Sequence, residues 1–241
     1  MRRIKSAPLR RELLKIDGQS IEVSVRLNPR ARRVIVKVHP NTGEVSVTAP
    51  SRRGLDHALE FARREKDWIA RQLARVPAPV ALAPGSSIPF RGHVHRVHHV
   101  PAGPLPAWLS ETAREICVRG QPEHAARRLL DFLKGEARKA FEARSLEFAS
   151  RLGVRPARIA VRDTTSRWGS CSSQRSLSFS WRLIMAPDFV LDYVVAHEVA
   201  HLREMNHGPR FWAHVRALVG DTIPAQHWLL ANGRDLQRYG A

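Results

Sequence analysis

The chain has 241 residues, 43% of them hydrophobic and 26% charged, a globular composition that excludes a collagen-like, low-complexity or wholly disordered chain. Forty Lys and Arg residues against 22 Asp and Glu residues give a net charge of +18. No apolar run approaches the roughly 20 residues of a transmembrane helix, and the basic start lacks an apolar segment of signal-peptide length. Cys117 and Cys171 cannot build a disulfide framework, so we expect a cytoplasmic protein.

The first third of the chain predicts a small sheet followed by a helix. Apolar and polar residues alternate over residues 21–27, 34–38 and 45–47, and Asn41-Thr42-Gly43 favours a hairpin turn between the last two segments. We expect these three strands to lie in antiparallel order. Apolar residues at helical spacing then predict one amphipathic helix over residues 54–76.

The middle of the chain predicts a connector and a histidine-bearing hairpin. Residues 77–89 are rich in Pro and Ala, and residues 90–100 favour a short hairpin around Gly92. Clustered histidines suggest a metal site, but no carboxylate or cysteine accompanies them, so exposed loop histidines are the favoured interpretation. These histidines are His93, His95, His98 and His99.

The second half of the chain predicts mostly helices. A long helix over residues 123–152 ends at Gly153, and strands are expected over residues 116–118, 158–163 and 177–182. A further helix opens at Pro187 and Asp188 and continues to about residue 204. Two more helices follow over residues 209–219 and 224–239, and no internal repeat is visible in the sequence.

The helix from Pro187 carries a zinc-binding pattern. His197 and His201 are four residues apart, so both imidazoles project from one face and can reach a single metal ion. Two neutral imidazole nitrogens suit Zn²⁺. Glu198 lies beside the first ligand, where its carboxylate can take a proton from a water that the metal activates.

Two local features separate this pattern from a chance occurrence. The flanking residues are apolar, which predicts a buried helix, and buried histidines and carboxylates are unfavourable unless they are paired or bind a metal. His207 follows beyond the expected helix end near Asn206 and can turn back as a third ligand. Three protein ligands leave an open fourth position, so the sequence predicts one catalytic zinc held by His197, His201 and His207.

The chain also resembles a known family. The resemblance rests on residues 166–173 (SRWGSCSS), 177–184 (LSFSWRLI), 193–207 (YVVAHEVAHLREMNH) and the pair Phe211-Trp212. These segments are similar to the YgjP-like zinc metallopeptidases, which are relatives of the SprT-like proteases within the zincins. The resemblance implies a metal-dependent peptidase with His197, His201 and His207 as ligands and Glu198 as general base.

Three further features have open interpretations. Cys171 could supply a thiolate as an extra zinc ligand, although a structural role is favoured. Residues 177–181 could form an edge strand that pairs with a substrate backbone, or a core strand with Leu177, Phe179 and Trp181 packed inward. The sequence does not choose among five candidates for stabilising an oxyanion: Tyr193, Asn206, Arg210, His214 and His227.

Together these observations predict an α+β protein with two domains. Residues 1–105 would form a basic, β-rich region with one helix, and residues 106–241 a zincin-like catalytic domain with a long helix, a small sheet and an HExxH helix. The expected function is zinc-dependent hydrolysis of protein or peptide substrates. A zinc-dependent hydrolase of a non-peptide amide is a second possibility on the same machinery.

A third possibility is a DNA-associated protease or a nucleic-acid-binding protein directed by the basic N-terminal region. Residues 1–75 contain 18 basic and 8 acidic residues, although no aromatic stacking pattern accompanies them. No membrane partner is expected, and the sequence gives no oligomeric state. Because residues 1–18 lack a patterned apolar face, we expect their removal to leave the zinc domain folded.

Overall fold

A computed structural model describes residues 9–40, 42–76, 78–110, 112–165 and 167–240, and shows a mixed α+β fold. The chain divides into two compact units, Met1–Ala78 and Pro79–Ala241. This division lies before the boundary expected at residue 105, because two strands of residues 87–100 belong to a sheet of the second unit. Among the described residues, no helix has the length and apolar character needed to cross a membrane.

The first unit contains a four-stranded sheet and two helices. Its strands are β1 (Arg10–Ile16), β2 (Gln19–Leu27), β3 (Ile35–Val38) and β4 (Val45–Ala49), in the spatial order β1-β2-β4-β3. Helices α1 (Leu55–Arg64) and α2 (Lys66–Leu73) follow a 3₁₀ turn. The core of this unit consists mainly of small and β-branched residues: Leu14, Ile16, Val23, Val25, Val38, Val45, Val47, Ala49, Ala58, Leu59, Ala62 and Ile69.

The sequence-based prediction for this unit is wrong in three respects. The order is not wholly antiparallel, because β4 pairs parallel to β2 and thereby separates β2 from β3. Residues 10–16, within that segment, do carry a period-two pattern, since Leu14 and Ile16 of β1 are buried and Lys15 between them is exposed. The single predicted helix is two helices, which are separated at Glu65.

The predicted turn between β3 and β4 is a hairpin in the structure. Gly43 adopts a positive φ of 70°, which glycine tolerates without steric strain, and its N–H donates to the carbonyl of His39 at 3.0 Å. Asn41, the first residue of the predicted turn, lies outside the described residues.

The second unit begins with a sheet of the same topology as the first. Strands β5 (Ser87–Phe90), β6 (His93–Val100), β7 (Ala107–Ser110) and β8 (Glu115–Arg119) lie in the order β5-β6-β8-β7. In both sheets two antiparallel hairpins are joined by a parallel central pair, and a 3₁₀ turn and a helix follow. The structure therefore contains a topological repeat that is not visible in the sequence.

A long helix lies at the centre of the second unit. Helix α3 (Ala125–Arg151) packs against β8 and against a three-stranded sheet of β9 (Arg158–Arg162), β10 (Gly169–Cys171) and β11 (Ser176–Ser180). The ring of Phe141 on α3 stacks on Phe179 of β11 with centroids 4.6 Å apart. The spatial order β10-β11-β9 makes β11 the central strand, so the interpretation of residues 177–181 as an edge strand is wrong.

Three helices complete the second unit: α4 (Asp188–Ala200), α5 (Pro209–Val219) and α6 (Ile223–Leu236). Helix α4 packs against α3, α5, α6 and β10, which explains why it is buried around most of its circumference. Its buried apolar residues are Val190, Leu191, Val194, Val195, Ala196, Val199 and Ala200.

Candidate metal centre

The last turn of α4 and the loop that follows it position three histidines. Helix α4 ends at Ala200, earlier than the predicted end near residue 204, and His201 occupies its C-cap position. The chain then bends through residues 201–208 and enters α5 at Pro209. This bend brings His207 back to His197, so that their Nε2 atoms lie 3.0 Å apart.

The three imidazoles fit a metal ion. One nitrogen from each of His197, His201 and His207 lies within 4.8 Å of the other two. Ligand atoms around a tetrahedral Zn²⁺ ion are about 3.3 Å apart, as expected from zinc–nitrogen bonds of about 2.0–2.1 Å. Among the described residues, no other group of three His, Cys, Asp or Glu side chains lies at metal-binding distances.

Hydrogen bonding and burial favour neutral imidazoles at His197 and His201, the form that can bind a metal. The Nδ1 atom of His201 lies 3.0 Å from the carbonyl of Glu204, and an N–H there leaves the Nε2 lone pair of the ring available to a metal. Burial, followed by repulsion from the neighbouring histidines, lowers the pKa of His197 to about 4. Burial also lowers the pKa of His201, so both rings are neutral near pH 7.

Phe211 packs against all three histidines. Its side chain is fully buried at the start of α5, and its ring centroid lies 4.9 Å from His197, 4.6 Å from His201 and 4.6 Å from His207. Trp212 adds a second aromatic contact, with centroids 5.9 Å from His197. These contacts restrict the orientation of the imidazoles without competing for their nitrogens.

Glu198 lies in a pocket with little access to water. Glu198 is 6% exposed, and this burial raises the pKa of its carboxyl group to about 7. The positive charge of Arg167 and a hydrogen bond donated by the backbone N–H of Cys171 act in the opposite direction. A carboxyl group with a pKa near 7 can both accept and donate a proton at physiological pH.

The backbone of β10 forms one wall of the Glu198 pocket. A Cβ atom at Gly169 would lie 2.6 Å from the Cγ and Oε1 atoms of Glu198, closer than atoms of real side chains approach. The absence of a side chain at position 169 therefore leaves the space that the carboxylate fills. Together with the N–H of Cys171, this strand fixes Glu198 beside the histidines.

The structure does not bring Cys171 into the histidine group. Its Sγ lies 3.6 Å from the carbonyl oxygen of Ser172, and burial together with the charge of Glu198 raises its pKa to about 11. A thiol with this pKa carries almost no thiolate near pH 7 in the absence of a metal ion, which makes it unreactive. These observations favour the structural role for Cys171.

The four histidines of β6 also lie apart from any metal-capable group among the described residues. His95 is buried, its Nδ1 lies 2.9 Å from the carbonyl of His93, and its ring packs edge-on against Phe90. His99 hydrogen-bonds to the carbonyl of Gly120, and His98 lies 3.8 Å from Glu115. These histidines were expected to be exposed loop residues. In the structure they lie on strand β6, and His95 and His99 make hydrogen bonds to backbone carbonyls.

Among the five oxyanion candidates, Tyr193 has a ring contact with the histidines. Its centroid lies 6.1 Å from that of His197, one helical turn away on α4. A hydrogen bond joins its side chain to Gln226 of α6, while burial raises the phenol pKa.

Sequence reasoning assigned no role at the site to Gln226. It placed Gly169 in a segment that could line the cleft and used Phe211 as part of a family motif, without predicting the contact that either residue makes. The available signals were weak, namely a glycine within the family motif of residues 166–173 and an aromatic residue soon after His207.

Comparison with known proteins gives a family match over most of the chain. The model of the YgjP-like family, metallopeptidase domain, matches residues 32–232. No curated protein matches the chain. The solved structure of the metallopeptidase zymogen of Pyrococcus abyssi abylysin aligns with 42% of this chain and 99% of its own length, with 18% sequence identity and a TM-score of 0.35. That similarity is too low to support a conclusion about the fold, whereas the family match covers well over half of the sequence: the chain belongs to the YgjP-like metallopeptidase family.

Proposed function

We propose that this protein is a zinc-dependent peptidase with a zincin-like catalytic domain, in which His197, His201 and His207 hold one Zn²⁺ ion and Glu198 is the general base. The observation that carries the proposal is the convergence of three imidazole nitrogens within 4.8 Å of one another at the end of helix α4, which also carries the buried Glu198. Glu198 is buried and His197 and His201 are partly buried, which is unfavourable for polar groups unless they are paired or bind a metal.

The chemistry divides between the metal and the chain. When bound, zinc would polarise the peptide carbonyl and lower the pKa of a water molecule. Glu198 accepts the proton of the attacking water and then delivers it to the nitrogen of the departing amine. Its pKa of about 7 suits both transfers, because general acid–base catalysis is most effective near the operating pH.

Contacts with the backbone of β10 would leave Glu198 beside the metal rather than coordinated to it, in position to accept a proton from a metal-activated water. The backbone N–H of Cys171 donates to the carboxylate, and the bare backbone of Gly169 packs against its Cγ and Oε1 atoms. Phe211 holds the three imidazoles from the side of α5. These contacts support a base that acts in catalysis without coordinating the ion.

Substitution of the base tests the proposal. Glu198→Gln retains the shape of the side chain but cannot accept a proton, so we expect wild-type zinc content and a rate of hydrolysis that is lower by about 10²–10⁴-fold. The assay is cleavage of an unfolded labelled protein or of a mixed peptide library by zinc-loaded protein. Glu142→Gln, which changes an exposed glutamate of α3, is the matched control and should retain full activity.

Three outcomes would contradict the proposal in different ways. Undiminished hydrolysis by Glu198→Gln would remove Glu198 from the mechanism, and loss of zinc from that variant would make Glu198 a ligand or a structural support. Glu198-dependent cleavage of a non-peptide amide, with no cleavage of any peptide, would show that the substrate class is wrong.

A further inference from the structure

Five arginines lie at one end of the sheet in the first unit. Strands β2 and β4 run parallel and end together, because Leu27 pairs with Ala49 and the N–H of Asn28 donates to the carbonyl of Ala49 at 3.0 Å. The chain therefore leaves both strands at the same edge. The segments that follow are residues 28–34, which return to β3, and residues 50–54, which lead to α1.

Both segments are rich in arginine. The segment after β2 carries Arg30, Arg32 and Arg33, and the segment after β4 carries Arg52 and Arg53; we call these five residues the arginine edge. All five are exposed, and none forms an ion pair with another residue that the structure describes.

Negative charge does not offset the arginine edge. No acidic residue occurs in residues 23–43 or 45–55. The next carboxylate along the chain, Asp56, is already paired with Nη1 of Arg10 at 3.0 Å. Glu12 is likewise shared between Arg10 and Arg63, at 2.6 and 3.1 Å. The five guanidinium groups are therefore available to an external anion.

The arrangement fits a ligand with several phosphates in a row. Neighbouring strands are about 4.8 Å apart, so the two segments, which end β2 and β4 and begin β3, extend over roughly 10 Å of the sheet edge. Guanidinium groups bind phosphate oxygens bidentately. Residues 28–34 and 50–54 include no aromatic residue that could stack on a base, which indicates contacts to the backbone of a nucleic acid rather than to its bases.

A membrane surface fits the arginine edge less well. Membrane-binding surfaces usually combine basic residues with Trp, Phe or Leu side chains that enter the lipid. The described exposed large apolar residues at this end of the sheet are Ile35 and Leu9, and the two arginine-bearing segments contain neither Trp, Phe nor Leu. We therefore propose that the arginine edge binds the phosphate backbone of a nucleic acid without sequence preference, independently of the proposed peptidase activity.

Binding of the full-length protein to a labelled random-sequence 20-base-pair DNA duplex tests this proposal. Five phosphate contacts predict that log K falls with log salt concentration with a slope of about −4 to −5. The double variant Arg52→Ala, Arg53→Ala should reduce that slope by about 2, because two phosphate contacts are lost. Fluorescence anisotropy over a salt series measures both values, and a thermal melt of each variant verifies that it folds.

The control removes the same charge from the opposite end of the sheet. Arg71 and Arg75 are exposed on and just after α2, and the adjoining Leu73 and Val76 lie against Gly43 in the β3–β4 hairpin. The variant Arg71→Ala, Arg75→Ala should therefore leave the slope unchanged. A triple variant of Arg30, Arg32 and Arg33 to Ala is expected to lower the slope by about 3.

Several results would overturn the proposal. Equal weakening by the Arg52/Arg53 and Arg71/Arg75 pairs would mean that net charge alone attracts DNA. Absence of salt-dependent duplex binding by the wild-type protein would remove the site altogether. Arginine-edge-dependent binding to vesicles of phosphatidylserine and phosphatidylcholine, with no binding to DNA, would assign the surface to a membrane instead.

Discussion

The backbone of Gly169 and the carboxylate of Glu198 occupy adjoining space that only glycine leaves open. A Cβ atom at position 169 would approach the Cγ and Oε1 atoms of Glu198 to 2.6 Å. Because Glu198 is buried, its side chain cannot swing into solvent to relieve the overlap. The alignment of the proposed base therefore depends on a residue 29 positions earlier in the chain.

We expect Gly169→Ala to retain zinc and to lower kcat/KM by about 10²-fold, since small displacements of a catalytic group have effects of that size. Gly135→Ala is the control, because a Cβ atom at that position in α3 meets no atom within 4 Å. It should retain full activity and stabilise the helix by up to about 1 kcal/mol. Full activity in Gly169→Ala would show that the contact does not position Glu198.

Phe211 should contribute to both stability and metal affinity. Phe211→Ala removes a fully buried ring that contacts all three histidines, so we expect the free energy of unfolding to fall by about 3–5 kcal/mol and zinc binding to weaken. Thermal melts and competition with a zinc chelator measure the two effects. Phe189→Ala, at a half-exposed position on α4, should change neither greatly. Unchanged zinc affinity in Phe211→Ala would show that the Phe211 ring contributes to the stability of the core but not to metal binding.

Cys171 should behave as an unreactive thiol. Its pKa is raised to about 11, so the thiolate fraction at pH 8 is far below that of an ordinary cysteine. In a Cys117→Ala background, iodoacetamide should alkylate Cys171 much more slowly than it alkylates free glutathione, as followed by mass spectrometry. Cys171→Ala should retain one zinc per chain, and loss of zinc from this variant would restore the thiolate-ligand interpretation.

Strand β1 should stabilise the first unit. Ile16→Ala deletes a side chain that is 4% exposed, and we expect it to lower the free energy of unfolding of that unit by about 2–5 kcal/mol. Leu13→Ala, at a position that is 69% exposed on the same strand, should have an effect within about 0.5 kcal/mol. Thermal melts compare the two. Removal of residues 1–18 should destabilise the first unit in the same way while zinc binding by the second unit persists.

The sequence predicted the parts of the site that depend on local geometry. His197 and His201 share a helix face because of the helical period, and His207 lies just past the helix end, so all three could be identified from spacing. The contact of Gly169 with Glu198 joins two elements, and no spacing rule relates them. Phe211 illustrates the same limit, because its contact with three imidazoles depends on the bend between α4 and α5.

The fold shows a similar division between local and tertiary determinants. The β3–β4 and β5–β6 hairpins follow short turns that contain glycine, and both were predicted. Strand β4 lies between β2 and β3 because the β1–β2 and β3–β4 hairpins pair through β2 and β4. The alternation of apolar and polar residues does not encode which edges of two hairpins pair. Strand β1 was missed because Leu13 and Leu14 are adjacent and interrupt the alternation, and only Leu14 and Ile16 of the strand are buried.

The metal content of purified protein tests the central claim most directly. Inductively coupled plasma mass spectrometry on the wild-type protein and on Glu198→Gln should give one zinc per chain, while His207→Ala should lose most of the metal. His227→Ala, which changes an exposed histidine of α6, should retain it. Full zinc occupancy in His207→Ala, or a wild-type protein that binds no zinc when the metal is supplied, would contradict the assignment of His197, His201 and His207 as the ligands.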